Sequence, residues 1–340
     1  MAKSKPALRK LSALQQGEDG IFFALLVEKN RGATRDNKPF YTCRFRDAHR
    51  TATMMVWQDS DSFEKCEKEW QSGMFFKLQA TYGEHKQYGP QIDVQKIRPI
   101  ADSDRADGFS EGDFLERSRF DSEEMFQELR TLAESTLSDE GLRKLTLLLL
   151  DRHAEKLKLL PATLRHYYPF PGGWLEHVLS VSKNCLWLAD RYRANYPDLQ
   201  PPLNRDLILA GAMLHEIGRV TELEPSPEIG GTPEPTIPGR LFGHLYLGRD
   251  LVRDAAREIE GINSELVQLL EHVILSHLVL PEWGSPRLPA IPEVLILHHA
   301  DDLDAKLEMF TRCLRKDVSG KPFTERDPIL GKQLLKKREV

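Results

Sequence analysis

The hydrophobic period of this chain changes once. It runs at the two-residue period of strands before about residue 100 and at the 3.6-residue period of helices after about residue 120. Strands followed by helices, not alternating with them, predict a β unit joined to an α unit. A length of 340 residues is enough for two such domains.

Residues 18–100 read as the β unit. Gly20 to Val27 is a buried-strand run, Phe40 to Arg46 alternates, and Thr51 to Trp57, Met74 to Tyr82 and Gln91 to Ile97 complete five strands. An amphipathic segment, Ser62 to Trp70, falls between the third and fourth. Five short strands with a helix after the third follow the order of an OB-fold β-barrel. Alternation sets Phe40, Arg44 and Arg46 opposite Tyr41, Cys43 and Phe45. OB-folds hold single strands by backbone electrostatics and base stacking. Phe40, Arg44 and Arg46 are therefore candidate nucleic-acid contacts, with Tyr82 and Tyr88 as stacking residues around Gly83 to Gln87. Trp57 is assigned to the core.

Residues 1–17 form a basic extension with no long apolar run, so no signal peptide is expected. Residues 1–100 carry 17 Lys and Arg against 12 Asp and Glu, leaving 30 against 40 in the rest. A mildly basic arm on an acidic body suits a protein that handles polyanions beside a cation site. Residues 101–120 are acidic and without period, and read as a linker. The apolar run Leu145 to Leu150 is far below the roughly 20 residues that a membrane span needs. Four cysteines without CxxC spacing suit a reducing cytoplasm.

From residue 121 to 316 the pattern is helical, and residues 317–340 form a tail. Seven of the eleven histidines lie between His177 and His299. His177 interrupts an apolar helix face. His215 and Glu216 emerge together from Ala-Gly-Ala-Met-Leu, His277 ends another apolar helix, and Asp301 lies where the period predicts burial. Buried ionisable groups are costly unless paired or bound to metal. Imidazole mixed with carboxylate, without thiolate, favours Mn, Fe, Co or Mg, as one ion or two. Such ions polarise a phosphoryl oxygen and activate water. His272, five residues before His277, reads as a supporting or phosphate-side group. Asp304, one turn after Asp301, can orient a histidine or pair with Lys306.

The words GGWLEH (172–177), LNRDLILAGAMLHEIG (203–218), GRLFGH (239–244), LSH (275–277), PEWGSP (281–286) and DDLDAK (301–306) resemble the YhaM-type 3′→5′ exoribonucleases. In that family an OB-fold precedes an HD-superfamily metallophosphohydrolase domain, and the resemblance covers nearly the whole chain. It implies that His177, His215, Glu216, His244, His277 and Asp301 ligate metal, most simply Mn²⁺, with His215, Glu216 and Arg219 as catalytic residues. It also implies that single-stranded RNA, or DNA, is shortened from the 3′ end as the OB-fold guides the strand to the metal site. It is compatible with a homo-oligomer and gives no reason to expect a membrane partner. Three positions depart from the family pattern: Glu216 replaces aspartate, Arg219 replaces lysine, and His277-Leu278 replaces a histidine pair. Two other readings stay open here: an HD phosphohydrolase of nucleotides or cyclic dinucleotides, and a nucleic-acid-binding protein whose catalysis has weakened at Glu216.

Overall fold

The structure is a computed structural model that describes residues 8–34, 36–47, 50–85, 89–114, 116–225, 233–317 and 321–336. The chain divides into two compact units, meeting in sequence at residues 116 and 117.

The first unit is a closed five-stranded OB-like barrel in the order β1-β2-β3-β5-β4. Its strands are β1 (Asp19–Ala33), β2 (Pro39–Arg46), β3 (Thr51–Trp57), β4 (Phe75–His85) and β5 (Gly89–Pro99), with α1 (Phe63–Lys68) between β3 and β4. Closure depends on the length of β1. Its first half, Asp19 to Leu25, pairs antiparallel with β4, and the part from Leu25 to Ala33 pairs antiparallel with β2. A bulge between Leu26 and Glu28 bends the strand where it changes partner. A parallel contact between β3 and β5 closes the ring, so no sheet edge is left open.

Parity decides the barrel's interior. Ala52, Met54 and Val56 point in from β3, and Phe76, Leu78, Ala80 and Tyr82 point in from β4. This corrects two expectations. Trp57 follows Val56 and therefore faces outward, 46% exposed, where it packs on Phe40 at 5.3 Å. Tyr82, expected to stack bases, is only 2% exposed; its hydroxyl donates to Glu84 at 3.0 Å and Arg50 covers its ring.

Residues 101–114, expected as a linker, fold onto the barrel. Phe109 and Phe114 cover the outward-facing Phe23, Leu25 and Phe75, which explains why β1 reads as a continuous apolar run. Asp104 anchors the same segment. It accepts from both guanidinium nitrogens of Arg98 (2.6 and 2.7 Å), from Lys77 (3.0 Å) and from the Ala101 backbone N–H (2.8 Å). Asp104→Ala is expected to cost about 2–3 kcal/mol, the worth of one or two charge-assisted hydrogen bonds. Urea denaturation of the full chain measures this, and an unshifted barrel transition would count against it.

The second unit is helical: α2 (Ser122–Thr136), α3 (Glu140–Arg152), α4 (Ala154–Leu159), α5 (Gly173–Asn195), α6 (Arg205–Leu214), α7 (Arg219–Glu222), α8 (Ile237–Ala256), α9 (Ser264–Ser276) and α10 (Pro292–Lys316). Asp121, Asp139, Asn204 and Asn263 cap α2, α3, α6 and α9 through side-chain oxygens. At α2 and α3 the capping residue is an aspartate, which also places a negative charge at the positive end of the helix. Helix α6 is buried along its whole length apart from its first two residues. It packs against α3, α5, α9 and α10. Gly211 permits the close approach of α9: a Cβ there would lie 2.6 Å from Val273 Cγ1. Residues 321–336 fold back, with Thr324 buried and bonded to Leu334. Among the described residues, no helix is long and apolar enough to cross a membrane.

Candidate metal centre

Helices α6 and α9 end in the same way. His215 and His277 are their C-terminal caps, and each ring places Nδ1 2.8 Å from the carbonyl three residues back, Ala212 or Ile274. A carbonyl only accepts, so each Nδ1 carries the proton. Each ring thereby satisfies a carbonyl that the helix end leaves unpaired, and its Nε2 is left as a bare lone pair. Both rings are fully buried.

His177 reaches the same point from α5. Its Nδ1 lies 2.9 Å from Asp304 Oδ2 on α10, and Ser180 donates to the other Asp304 oxygen at 2.5 Å. Its Nε2 is 3.1 Å from Asp301 Oδ1 and 3.4 Å from His215 Nε2. Asp304 fixes the Nδ1 proton, so three acceptor atoms converge here and need a proton or a cation among them. Without a metal the proton is favoured: burial opposes the charge on His177, but Asp301 and Asp304 outweigh it and raise the imidazole to about 10. Burial likewise opposes ionisation of Asp301, yet His177 foremost holds it near 2. His277, deeply buried beside His215, is pushed down to about 3.

The donor atoms fall into two groups, His177–His215–Asp301 and His215–Glu216–His277, each spanning no more than 4.8 Å. His277 Nε2, His244 Nε2 and Asp301 Oδ1 are buried without a hydrogen-bond partner. Orphaned buried polar atoms of this kind are rare unless a water or an ion satisfies them. Lone pairs and carboxylate oxygens converging in a dry site fit a divalent ion.

His244 belongs to neither group. It follows Gly243, whose left-handed φ of 68° kinks α8, and its Nε2 is 3.5 Å from Glu216 Oε1. Its backbone is held by Gly218, where a Cβ would meet the His244 carbonyl oxygen at 2.0 Å.

Glu216 is buried and fully engaged. Arg219 Nε donates to its Oε2 at 2.5 Å and another Arg219 nitrogen to Oε1 at 3.4 Å. Tyr167 donates to Oε1 at 3.3 Å, and Trp174 Nε1 to its backbone carbonyl at 2.9 Å. A further Arg219 nitrogen bonds Glu222. Burial works against the Glu216 charge, but Arg219 holds its pKa well below the usual carboxylate range. The Arg219 fork is thus occupied by two carboxylates and is not free for a phosphate.

Other candidates stand apart from this cluster. His272 Nε2 accepts from the Ala290 backbone N–H at 3.0 Å, which ties it to a loop. Lys306 pairs with Asp302 at the surface, leaving Asp304 to His177. On the barrel, Arg44 pairs with Glu28 at 3.0 Å, and half-buried Arg46 has an Nε–H without a partner. Tyr88 lies outside the described residues. Sequence reasoning missed Tyr167, Glu222 and His298, whose Nδ1 bonds the His277 carbonyl at 2.7 Å. The only signal for Tyr167 is a doubled tyrosine before the Pro-Phe-Pro-Gly-Gly turn. That turn works because Gly173 has no Cβ, which would sit 2.2 Å from the Tyr168 carbonyl oxygen.

Residues 174–306 match the HD domain family. Over 326 residues, 94% of this chain and 95% of the relative, the chain is 31% identical to the 3′-5′ exoribonuclease YhaM of Listeria monocytogenes serotype 4b (strain CLIP80459). It is equally similar, over the same shares, to the 3′-5′ exoribonuclease YhaM of Listeria innocua serovar 6a. Among solved structures, a domain of replication protein A from Methanococcus maripaludis aligns with 28% of this chain and 98% of its own. Its identity is 18% and its TM-score 0.23, too low for the likeness to bear on fold.

Proposed function

Because the chain belongs to the YhaM family of 3′-5′ exoribonucleases, we propose that it is a metal-dependent nuclease that shortens single-stranded RNA from the 3′ end. The observation that carries this reading is the convergence of bare imidazole nitrogens and Asp301 in a dry helical core. His177, His215 and Asp301, the first of the two donor groups, would hold the ion, with His277 in the second group beside it. The donor set, imidazole and carboxylate without thiolate, suits Mn, Fe, Co or Mg, and the family resemblance makes Mn²⁺ the ion of this proposal. When bound, the ion supplies Lewis acidity toward a phosphoryl oxygen and makes water a stronger nucleophile.

The chain's own residues orient this site. Asp304, itself held by Ser180, keeps the His177 proton on Nδ1 and turns Nε2 toward Asp301. Asp304→Asn is expected to weaken Mn²⁺ binding about 10–100-fold, the usual cost of losing a ligand's supporting partner. Titration calorimetry reads this, and wild-type affinity in the variant would remove Asp304 from the assignment. Arg219 and Tyr167 act through Glu216, as positioning residues. His244 Nε2, without a hydrogen-bond partner and 3.5 Å from Glu216 Oε1, would take or return a proton.

The barrel offers a face for the strand. Phe40 and Trp57 pair in register across β2 and β3, with Arg44 on the same face four residues from Phe40. Stacking on an aromatic is worth about 1–3 kcal/mol per base, so Trp57→Ala is expected to weaken RNA binding roughly 5–150-fold. Fluorescence anisotropy with a labelled oligonucleotide tests it; unchanged affinity would exclude this face. Four buried free cysteines suit the reducing cytoplasm where such an enzyme would work.

A 5′-labelled RNA incubated with Mn²⁺ should give a ladder of products shortened one nucleotide at a time, and the same assay on DNA sets its preference. Intact RNA with release of phosphate from nucleotides or opening of a cyclic dinucleotide would replace this reading with the phosphohydrolase one. RNA bound but uncut in every divalent metal would leave a binding protein.

A further inference from the structure

We propose that the Arg219 guanidinium takes the place of a second divalent ion, so that each chain binds one ion, at His177, His215 and Asp301. The proposal rests on the metal reading above and sharpens it to a stoichiometry.

The two donor groups share His215, whose Nδ1 is committed to the Ala212 carbonyl. One lone pair serves one ion, so His215 cannot complete both groups. Its neighbours decide which group it joins. In the first group Asp301 is the anionic donor, and its ion-pair partners are the imidazoles of His177 and His215, with no arginine or lysine among them. In the second group Glu216 is the anionic donor, and both of its oxygens already face Arg219.

Arg219 has what a cation at that position needs. Its charge is permanent, its side chain is 14% exposed, and it lies between two carboxylates, Glu216 and Glu222. All three of its nitrogens bond those carboxylates, so the Glu216 charge is already neutralised before a second ion could approach. A divalent ion brought to His277 and Glu216 would meet a fixed like charge in a low-dielectric setting, where repulsion is strong. Two-metal sites place their ions roughly 3.5–4 Å apart and use carboxylates to neutralise them. Here the carboxylates of the second position are neutralised in advance by a side chain.

The test is a metal count on the full chain, stripped with chelator, reloaded with Mn²⁺ and desalted, with calorimetric titration alongside. Wild type should hold one ion per chain. Arg219→Lys should also hold one, because it keeps the charge. Arg219→Gln should gain a second ion, and Mn²⁺ should raise its melting temperature more than it raises that of wild type. Two ions on wild type, or a single ion on folded Arg219→Gln, would overturn the proposal. If Arg219→Gln fails to fold, Glu216→Gln decides: it should keep one ion at an affinity like the wild type's, and loss of that ion would make Glu216 a ligand despite Arg219. A wild type that takes up no ion at all overturns the metal reading itself, and this proposal with it.

Discussion

His215→Ala will leave a chain that holds no Mn²⁺ after desalting and degrades RNA at least about 10³-fold more slowly, beyond the 10–100-fold that loss of a supporting partner costs. His215 is the one residue common to both donor groups, so no regrouping of the remaining side chains can replace it. Its loss removes a ligand nitrogen and leaves the Ala212 carbonyl at the end of α6 without its partner. The destabilisation from that second effect is separable. Glu216 and Arg219 are positioned by their own bonds and by Trp174, so the helical frame should stay folded. Metal content, circular dichroism and the labelled-RNA ladder together decide the matter. Full activity in His215→Ala would mean that the catalytic centre lies elsewhere.

Arg219→Met should be the most damaging single change to stability, costing about 3–5 kcal/mol, as when one partner is removed from a buried ion pair. The isosteric apolar stem fills the space, but Glu216, fully buried, and Glu222, nearly so, lose their counter-charge. Pairing the change with Glu216→Gln should recover a large part of the loss, since removing both members of a buried pair is far milder than removing one. Urea denaturation of the four chains of that cycle measures the coupling. A cost below about 1 kcal/mol for Arg219→Met, typical of exposed pairs, would show that the clamp is solvated and weak.

Much of this was legible in the sequence because of where the polar residues interrupt apolar runs. His215 after Ala-Gly-Ala-Met-Leu and His277 after Val-Ile-Leu-Ser each mark a helix that ends inside the core, and Asp301 breaks the inward stripe of α10. The direction of Arg219 was not legible. It depends on the short turn of α7 folding back toward Glu216, which no periodicity announces. Trp57 and Tyr82 were readable but misjudged. From sequence Trp57 is assigned to the core and Tyr82 to a stacking loop, whereas parity with Val56 and Ala80 dictates the reverse. Residues 101–114 hid their role because two isolated phenylalanines in an acidic stretch carry no period. Only the unsatisfied outer face of β1 asks for them.

The capping histidines also bear on how this site can change over evolutionary time. The proton positions of His215 and His277 are set by main-chain carbonyls, which every amino acid supplies. No substitution at Ala212 or Ile274 short of rebuilding the helix end can flip those rings. Of the three imidazoles in the two donor groups, His177 alone takes its orientation from side chains, Asp304 and, through it, Ser180. Inherited variation in metal affinity should therefore concentrate at positions 180 and 304, leaving the two helix ends as a fixed inheritance around which the rest of the pocket can drift.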